Sequence, residues 1–229
     1  MTAFHARKSR AAGRSIALFG GTFDPVHSGH LAVANAVQQR FQLNAIYFVP
    51  SSRPPHKTKR ELAPFAHRYA MVVLTCAGHP RFLPSLAESD IDGNKKQIYY
   101  SIDTVGYFRN EFPRDKLYFI LGADSFLEIQ TWKDHEALLD SCDFIIASRP
   151  GFPLDQLRNA IPAKFFKAAP ARGNRQTIAL RNSEVHLLPA VRSHVSSTAV
   201  RERLKRGDSI HGLVPHRVED YILQQALYR

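Results

Sequence analysis

Residues 15–41 read "SIALFGGTFDPVHSGHLAVANAVQQRF", and the order of residue types in this stretch decides the fold. The opening apolar run, residues 16–19, is short and continuous, as a strand buried on both faces is. Gly20 and Gly21 follow, then a loop holding Asp24, Pro25 and His27, and from His30 the pattern is that of a helix. A strand that passes through glycines into a helix N-terminus presents unpaired N–H groups with no Cβ in the way, which is the architecture of an anion site. The spacing matches neither G-x-G-x-x-G nor a P-loop, so the two common nucleotide-binding fingerprints are absent.

His27 and His30 lie three apart across the helix start, a spacing that turns both rings to one side. A metal pair lacks an H-E-x-x-H signature and an obvious third ligand. Nucleophilic catalysis needs a base–nucleophile pairing that spacing alone does not supply. Phosphate donation accounts for more, because two imidazole N–H groups beside a helix terminus hold charge that develops on phosphoryl oxygens. Asp24, immediately before a proline, reads as a turn residue rather than a metal ligand. A second stretch, "VSSTAVRERLKRG" at residues 195–207, places Ser196, Ser197 and Thr198 at a helix start with Arg201 one turn inside. Alone it reads as a capped surface helix, with Ser197 preceding the helical run and Gly207 where a C-cap belongs. Beside the upstream motif it becomes the second half of a phosphate clamp.

The same alternation continues along the chain. Further buried-strand runs fall at 45–49, 117–121 and 144–147, and helical patterns at 30–41, 65–77, 101–110, 135–141, 198–206 and 217–227. Strands alternating with helices imply an α/β fold with a parallel sheet covered by helices on both faces. Residues 1–14 are basic and without an acid, and are expected to form a flexible tail before a single domain over 15–229. The segment 155–184, with Arg158, Lys164, Lys167, Arg172, Arg175 and Arg181 and no acid between Asp155 and Glu184, reads as a variable, solvated lobe. Within it Phe165 and Phe166 are candidates for stacking on bases. The proline-rich stretch 50–64, with Arg53, Lys57, Lys59 and Arg60, directly follows a strand and reads as a mobile loop facing the substrate.

Composition narrows the classes. A hydrophobic content of 44% supports a packed core, and no apolar run approaches the roughly 20 residues that cross a bilayer. The N-terminus has no apolar core of a secretory signal, and Cys76 and Cys142 make no disulfide framework, so a reducing cytoplasm is expected. The formal charge of +11 attracts polyanions, among them nucleotides and pyrophosphate as well as nucleic acid.

Taken together, "GGTFDPVHSGH" and "SSTAVR" resemble the HxGH nucleotidyltransferase superfamily, whose fold is Rossmann-like with a small C-terminal helical part over 195–229. The segments "VPSSRPPHK", "YYSIDTV", "LGADSFLEIQTW" and "ASRPGFP" follow in the order found in bacterial nicotinate-mononucleotide adenylyltransferases. The resemblance implies transfer of the adenylyl group of ATP to nicotinate mononucleotide, with magnesium accompanying ATP and no metal ligands on the protein. It implies catalytic roles for His27, His30 and Arg201. It places Gly20, Gly21, Thr22, Phe23, Lys57, Gly122, Asp124, Ser197 and Thr198 on ATP, and Ser52, Tyr100, Ser101, Thr104, Trp132 and Arg149 on the acceptor. Trp132 would stack on the nicotinate ring. Ile98 and Tyr99 stand where the family often has proline and serine, Ser101 stands for the usual threonine, and Ser52 for a frequent asparagine. Expected partners are thus ATP and nicotinate mononucleotide, not a membrane or nucleic acid, with homo-oligomer formation left open. Two rivals remain: a related transferase using nicotinamide mononucleotide or phosphopantetheine, and a basic RNA-binding or regulatory module on the same scaffold.

Overall fold

The computed structural model describes residues 13–52, 62–89, 98–148, 152–166, 176–188 and 195–229. In chain order the elements are β1 (Ser15–Gly21), α1 (Ser28–Phe41), β2 (Ala45–Pro50), α2 (Phe65–Cys76), β3 (Phe82–Pro84), α3 (Ser101–Glu111), β4 (Lys116–Gly122), α4 (Ala123–Leu127), α5 (His135–Ser141), β5 (Asp143–Ala147), α6 (Leu154–Asn159), β6 (Thr177–Ala179), β7 (Glu184–Leu188), α7 (Ser197–Lys205) and α8 (His216–Gln224). Single 3-10 turns follow α4 and α6, at Ile129–Thr131 and Ala163–Phe165. The described strands form one seven-stranded sheet in the order β3-β2-β1-β4-β5-β7-β6. All neighbours are parallel except β6, which runs antiparallel on the outer edge of β7.

The alternation of side chains along each strand distributes the core between two faces. On β1, Ala17 and Phe19 join one cluster while Ile16 and Leu18 join the other. On β4, Tyr118 and Ile120 oppose Leu117, Phe119 and Leu121 in the same way. The first face is covered by α1, α2, α7 and α8 through Val37, Met71, Val72, Val200, Leu204, Val218 and Ile222. The second is covered by α3 to α6 through Val105, Phe108, Phe126, Leu138, Leu139 and Leu157. The C-terminal helices therefore complete a layer of the α/β sandwich, and Tyr221 of α8 bonds to His67 of α2 at 2.8 Å.

The described part of the 155–184 segment differs from the solvated lobe read from sequence. Leu157, Ile161, Phe165, Ile178 and Leu180 all lie in the second core cluster, and Phe165 is fully buried. Its basic residues cover aromatic rings: the Arg181 guanidinium carbon sits 4.4 Å from the Phe165 centroid, and that of Arg158 sits 4.4 Å from the Phe166 centroid. A ring in the core stacks on no base, so the base-stacking reading of Phe165 is overturned. Elements of three to six residues carry too few apolar positions to display a period, which is why this segment looks irregular in sequence.

Candidate active site

The chain leaves β1 towards β2 on one side of the sheet and leaves β4 towards β5 on the other, so β1 and β4 flank the point where strand order reverses. In open α/β sheets ligands bind outside the carboxyl ends of the strands at such a point. Gly20 and Gly21 end β1 there, and Gly122 ends β4. A Cβ on Gly20 would sit 3.2 Å from the Phe119 ring, and one on Gly21 would sit 3.1 Å from the Phe23 ring. The glycines thus admit two aromatic rings as well as leaving backbone exposed. Phe23 adopts φ 48°, and its ring, 2% exposed, packs on Phe19, Phe48 and His30. The Phe23 side chain is thus part of the core, which leaves its backbone for the place on ATP that the resemblance gives it.

His27 is the N-cap of α1, and its backbone N–H donates to Nδ1 of His30 at 3.2 Å. This is the reach-back half of a capping box, with imidazole in the place of glutamate. Because Nδ1 of His30 accepts, a neutral ring carries its proton on Nε2 and presents that N–H outward from the cap. The two rings stack with centroids 3.7 Å apart. His27 is 8% exposed, and its Nδ1 has no hydrogen-bond partner among the described residues. Burial lowers its pKa to about 4, so the ring is neutral at pH 7.

The second motif docks against the first. Ser196, not Ser197, caps α7, accepting from the Ala199 N–H at 3.1 Å. Ser197 is thereby the first helical residue, and its hydroxyl donates to the Pro25 carbonyl at 2.9 Å. Arg201 is 8% exposed; its guanidinium donates to the Thr198 hydroxyl at 3.0 Å and to the Asp24 carbonyl, and lies 3.8 Å from the Asp24 carboxylate. Asp24, 2% exposed, also accepts from the Ala63 N–H at 3.2 Å and the Tyr228 hydroxyl at 2.8 Å. It is a structural anchor joining both motifs, as its place before Pro25 suggested.

On the opposite wall, Tyr100 precedes α3, and its N–H donates to Asp103 at 3.3 Å. The Lys133 ammonium lies 4.5 Å from the Tyr100 ring centroid and 3.9 Å from Asp103, which brings the segment of half-buried Trp132 beside that of Tyr100 and Ser101. Thr104 is buried, and its hydroxyl donates to Glu88 at 2.7 Å, so it secures the α3 N-terminus from beneath. Burial pushes the Glu88 carboxyl up to about 7. Gly122 and Asp124 are exposed at the carboxyl end of β4 and the first turn of α4. Lys57 and Arg149, most of the 50–64 stretch, and residues 1–12 and 167–175 lie outside the described residues.

One residue that pattern reading passes over is Arg68. It is 1% exposed and donates to four backbone carbonyls, those of Thr22, Ser51, Ser52 and Ala63. Its trace in sequence is an arginine on the same helical face as Met71, Val72 and Thr75, all buried. Two further features lie away from the crevice. A hollow of about 670 Å³, lined by Ile102, His135, Asp140 and Arg181 among others, includes none of the expected site residues. Asp143, Glu184 and His186 bring three ligand-type atoms within 4.8 Å of one another at the amino ends of β5 and β7, and Lys116 already neutralises Asp143 at 2.9 Å.

Fold and site together define an α/β protein that gathers imidazole, guanidinium and hydroxyl donors at the switch point of a parallel sheet, the chemistry of a nucleotide-phosphate site. Residues 18–203 match the cytidylyltransferase-like family. A Moorella thermoacetica protein named "Probable nicotinate-nucleotide adenylyltransferase" is 41% identical over 215 residues, covering 93% of this chain and 91% of its own. One of the same name from Geobacter sulfurreducens is 38% identical over 212 residues, covering 92% and 96%. The solved structure of Plasmodium falciparum nicotinic acid mononucleotide adenylyltransferase complexed with NaAD shares the fold, with a TM-score of 0.71 at 20% identity and coverage of 94% and 97%. The chain belongs to the nicotinate-nucleotide adenylyltransferases, within the cytidylyltransferase-like family.

Proposed function

We propose that the chain transfers the adenylyl group of ATP to nicotinate mononucleotide, giving nicotinate adenine dinucleotide and pyrophosphate on the route to NAD. The observation that carries this is the docking of Ser197 and Arg201 onto Pro25 and Asp24, in the segment that leads directly to the stacked His27 and His30. In the reaction an acceptor phosphate oxygen forms a bond to the α-phosphorus as the bond to the β-phosphate oxygen breaks. The nucleophile is already an anion, so no general base and no covalent enzyme intermediate is needed. What the protein supplies is alignment of the two substrates and donors for the charge that grows on departing pyrophosphate. His30 supplies Nε2–H, and His27 supplies a neutral N–H in a dry setting. Arg201 supplies a permanent cation oriented by Thr198 and Asp24.

Magnesium fits as a companion of ATP: when bound it offsets phosphate charge. The Asp24 carboxylate is already engaged by Ala63, Tyr228 and Arg201, whereas Asp124, exposed in the first turn of α4, is the acid that the resemblance assigns to ATP. The acceptor is assigned to Ser52, Tyr100, Ser101, Thr104 and Trp132, with Arg149 on its phosphate. The resemblance assigns Lys57 to ATP. Backbone amides at the α3 start favour a carboxylate over a carboxamide, since charge-assisted hydrogen bonds are roughly twice as strong. None of the described helices is long and apolar enough to cross a membrane. The two buried free cysteines accord with a cytoplasmic setting.

The test is pyrophosphate release from ATP with nicotinate mononucleotide and, in parallel, nicotinamide mononucleotide. Release with the acid form and far less with the amide is expected. Replacing His30 with alanine should lower turnover by roughly 10²-fold or more in a folded protein. No release with either acceptor would overturn the reading.

A further inference from the structure

Arg68 projects from the first turn of α2 and its guanidinium is enclosed by backbone rather than by a carboxylate. Nε donates to the Ala63 carbonyl at 2.9 Å, Nη1 to those of Thr22 at 2.8 Å and Ser51 at 2.7 Å, and Nη2 to that of Ser52 at 3.1 Å. These carbonyls belong to three separate segments: the turn after β1, the segment after β2, and the approach to α2. Burial pulls the guanidinium pKa down, and the nearby Asp24 carboxylate pushes it back up. Holding a cation with only 1% of its surface exposed is costly; a packed apolar side chain would avoid that cost but would take these donors away from four carbonyls. The arrangement therefore requires a reason beyond packing.

We infer that Arg68 is a positioning residue that sets both substrate walls of the crevice at once, by fixing the peptide planes after Thr22 and Ser51. A trans peptide is rigid, so a carbonyl pinned towards the guanidinium turns the N–H of the same plane the opposite way. The planes concerned carry the N–H groups of Phe23, on the nucleotide side, and of Ser52, on the acceptor side. The planar fork suits this task because its donors diverge at fixed angles. A lysine ammonium is a single point that cannot span four carbonyls. The division into nucleotide and acceptor walls rests on the function proposed above; the joint pinning of the two segments does not.

The experiment compares the full chain with Arg68→Lys and Arg68→Met, and with Leu117→Ala, a buried core change at the amino end of β4, as a matched loss of thermal stability. KM for ATP and for nicotinate mononucleotide, kcat and the thermal midpoint are measured for each below the onset of unfolding. Arg68→Met is expected to raise both KM values together, by about tenfold or more. Arg68→Lys should recover folding stability more than it recovers either KM, and Leu117→Ala should lower the midpoint with both KM values unchanged. Unchanged KM values in both Arg68 variants, or a rise for one substrate only, would overturn the inference. If the wild-type chain releases no pyrophosphate, calorimetric binding of a non-hydrolysable ATP analogue and of nicotinate mononucleotide to the same variants gives the same comparison, with joint weakening of both expected. Failure of the catalytic reading is then separate from failure of this one.

Discussion

His27 is a buried imidazole that stays neutral because the fold strips it of water, and that state has a measurable consequence at low pH. With a folded pKa of about 4 against an ordinary 6.5, the unfolded chain binds a proton that the folded chain refuses throughout that window. Stability is therefore whole above pH 6.5 and falls as pH drops towards 4, by up to about 3 kcal/mol from this residue. Urea unfolding at pH 7 and pH 4.5 should show a loss that is about 2–3 kcal/mol smaller in His27→Gln than in the wild-type chain. Equal losses in both would place the cause elsewhere. The polar residues of the crevice were legible in unequal measure. His27, His30 and Arg201 stand out only when the two motifs are read together, because alone the second reads as a capped surface helix; the structure joins them through Arg201 and the Asp24 carbonyl. Arg68 does not stand out, because its role depends on carbonyls from three distant segments that no local pattern reveals. Phe23 reads as a ligand residue by its position, yet its left-handed backbone folds the ring inward among Phe19, Phe48 and His30.

Among the elements, the strands buried on both faces were the easiest to read. The apolar runs at 16–19, 45–49, 117–121 and 144–147 lie within β1, β2, β4 and β5, whose neighbours leave no polar side to interrupt the run. β3 and β6 have three residues each, and β7, "EVHLL", alternates polar and apolar because it lies near the sheet edge; none of the three yields a clear signal. The same limit hid α4 and α6, with five and six residues. Glycines that look alike in sequence also differ by element. At Gly20, inside β1, an added methyl meets the Phe119 ring at 3.2 Å, whereas at Gly122, ending β4, nothing lies within 4 Å. Gly20→Ala should cost about 1–3 kcal/mol in chemical denaturation, and Gly122→Ala should fall within about 0.5 kcal/mol of wild type. A similar cost at both positions would refute the packing account of the β1 glycine.

At the level of the whole molecule, the sheet order places strands from the middle of the chain beside the first one, and the C-terminal helices return to cover α1 and α2. This return joins the two motifs: Arg201 reaches the Asp24 carbonyl across 177 residues of sequence. Under the function proposed above, a triphosphate held by His27 and His30 on one side and by Thr198 and Arg201 on the other would grip both motifs at once. Binding that favours only the folded chain adds about 2.7 kcal/mol at a hundred times Kd. Amide exchange with a non-hydrolysable ATP analogue should slow in α1 and α7 alike; slowing confined to α1 would mean that the clamp has one jaw. A nucleotide bound in this way would act as a removable cross-link between the two motifs. Resistance to unfolding and proteolysis would then rise and fall with the supply of ATP, so the nucleotide-free chain is expected to be the easier one to cleave in limited proteolysis.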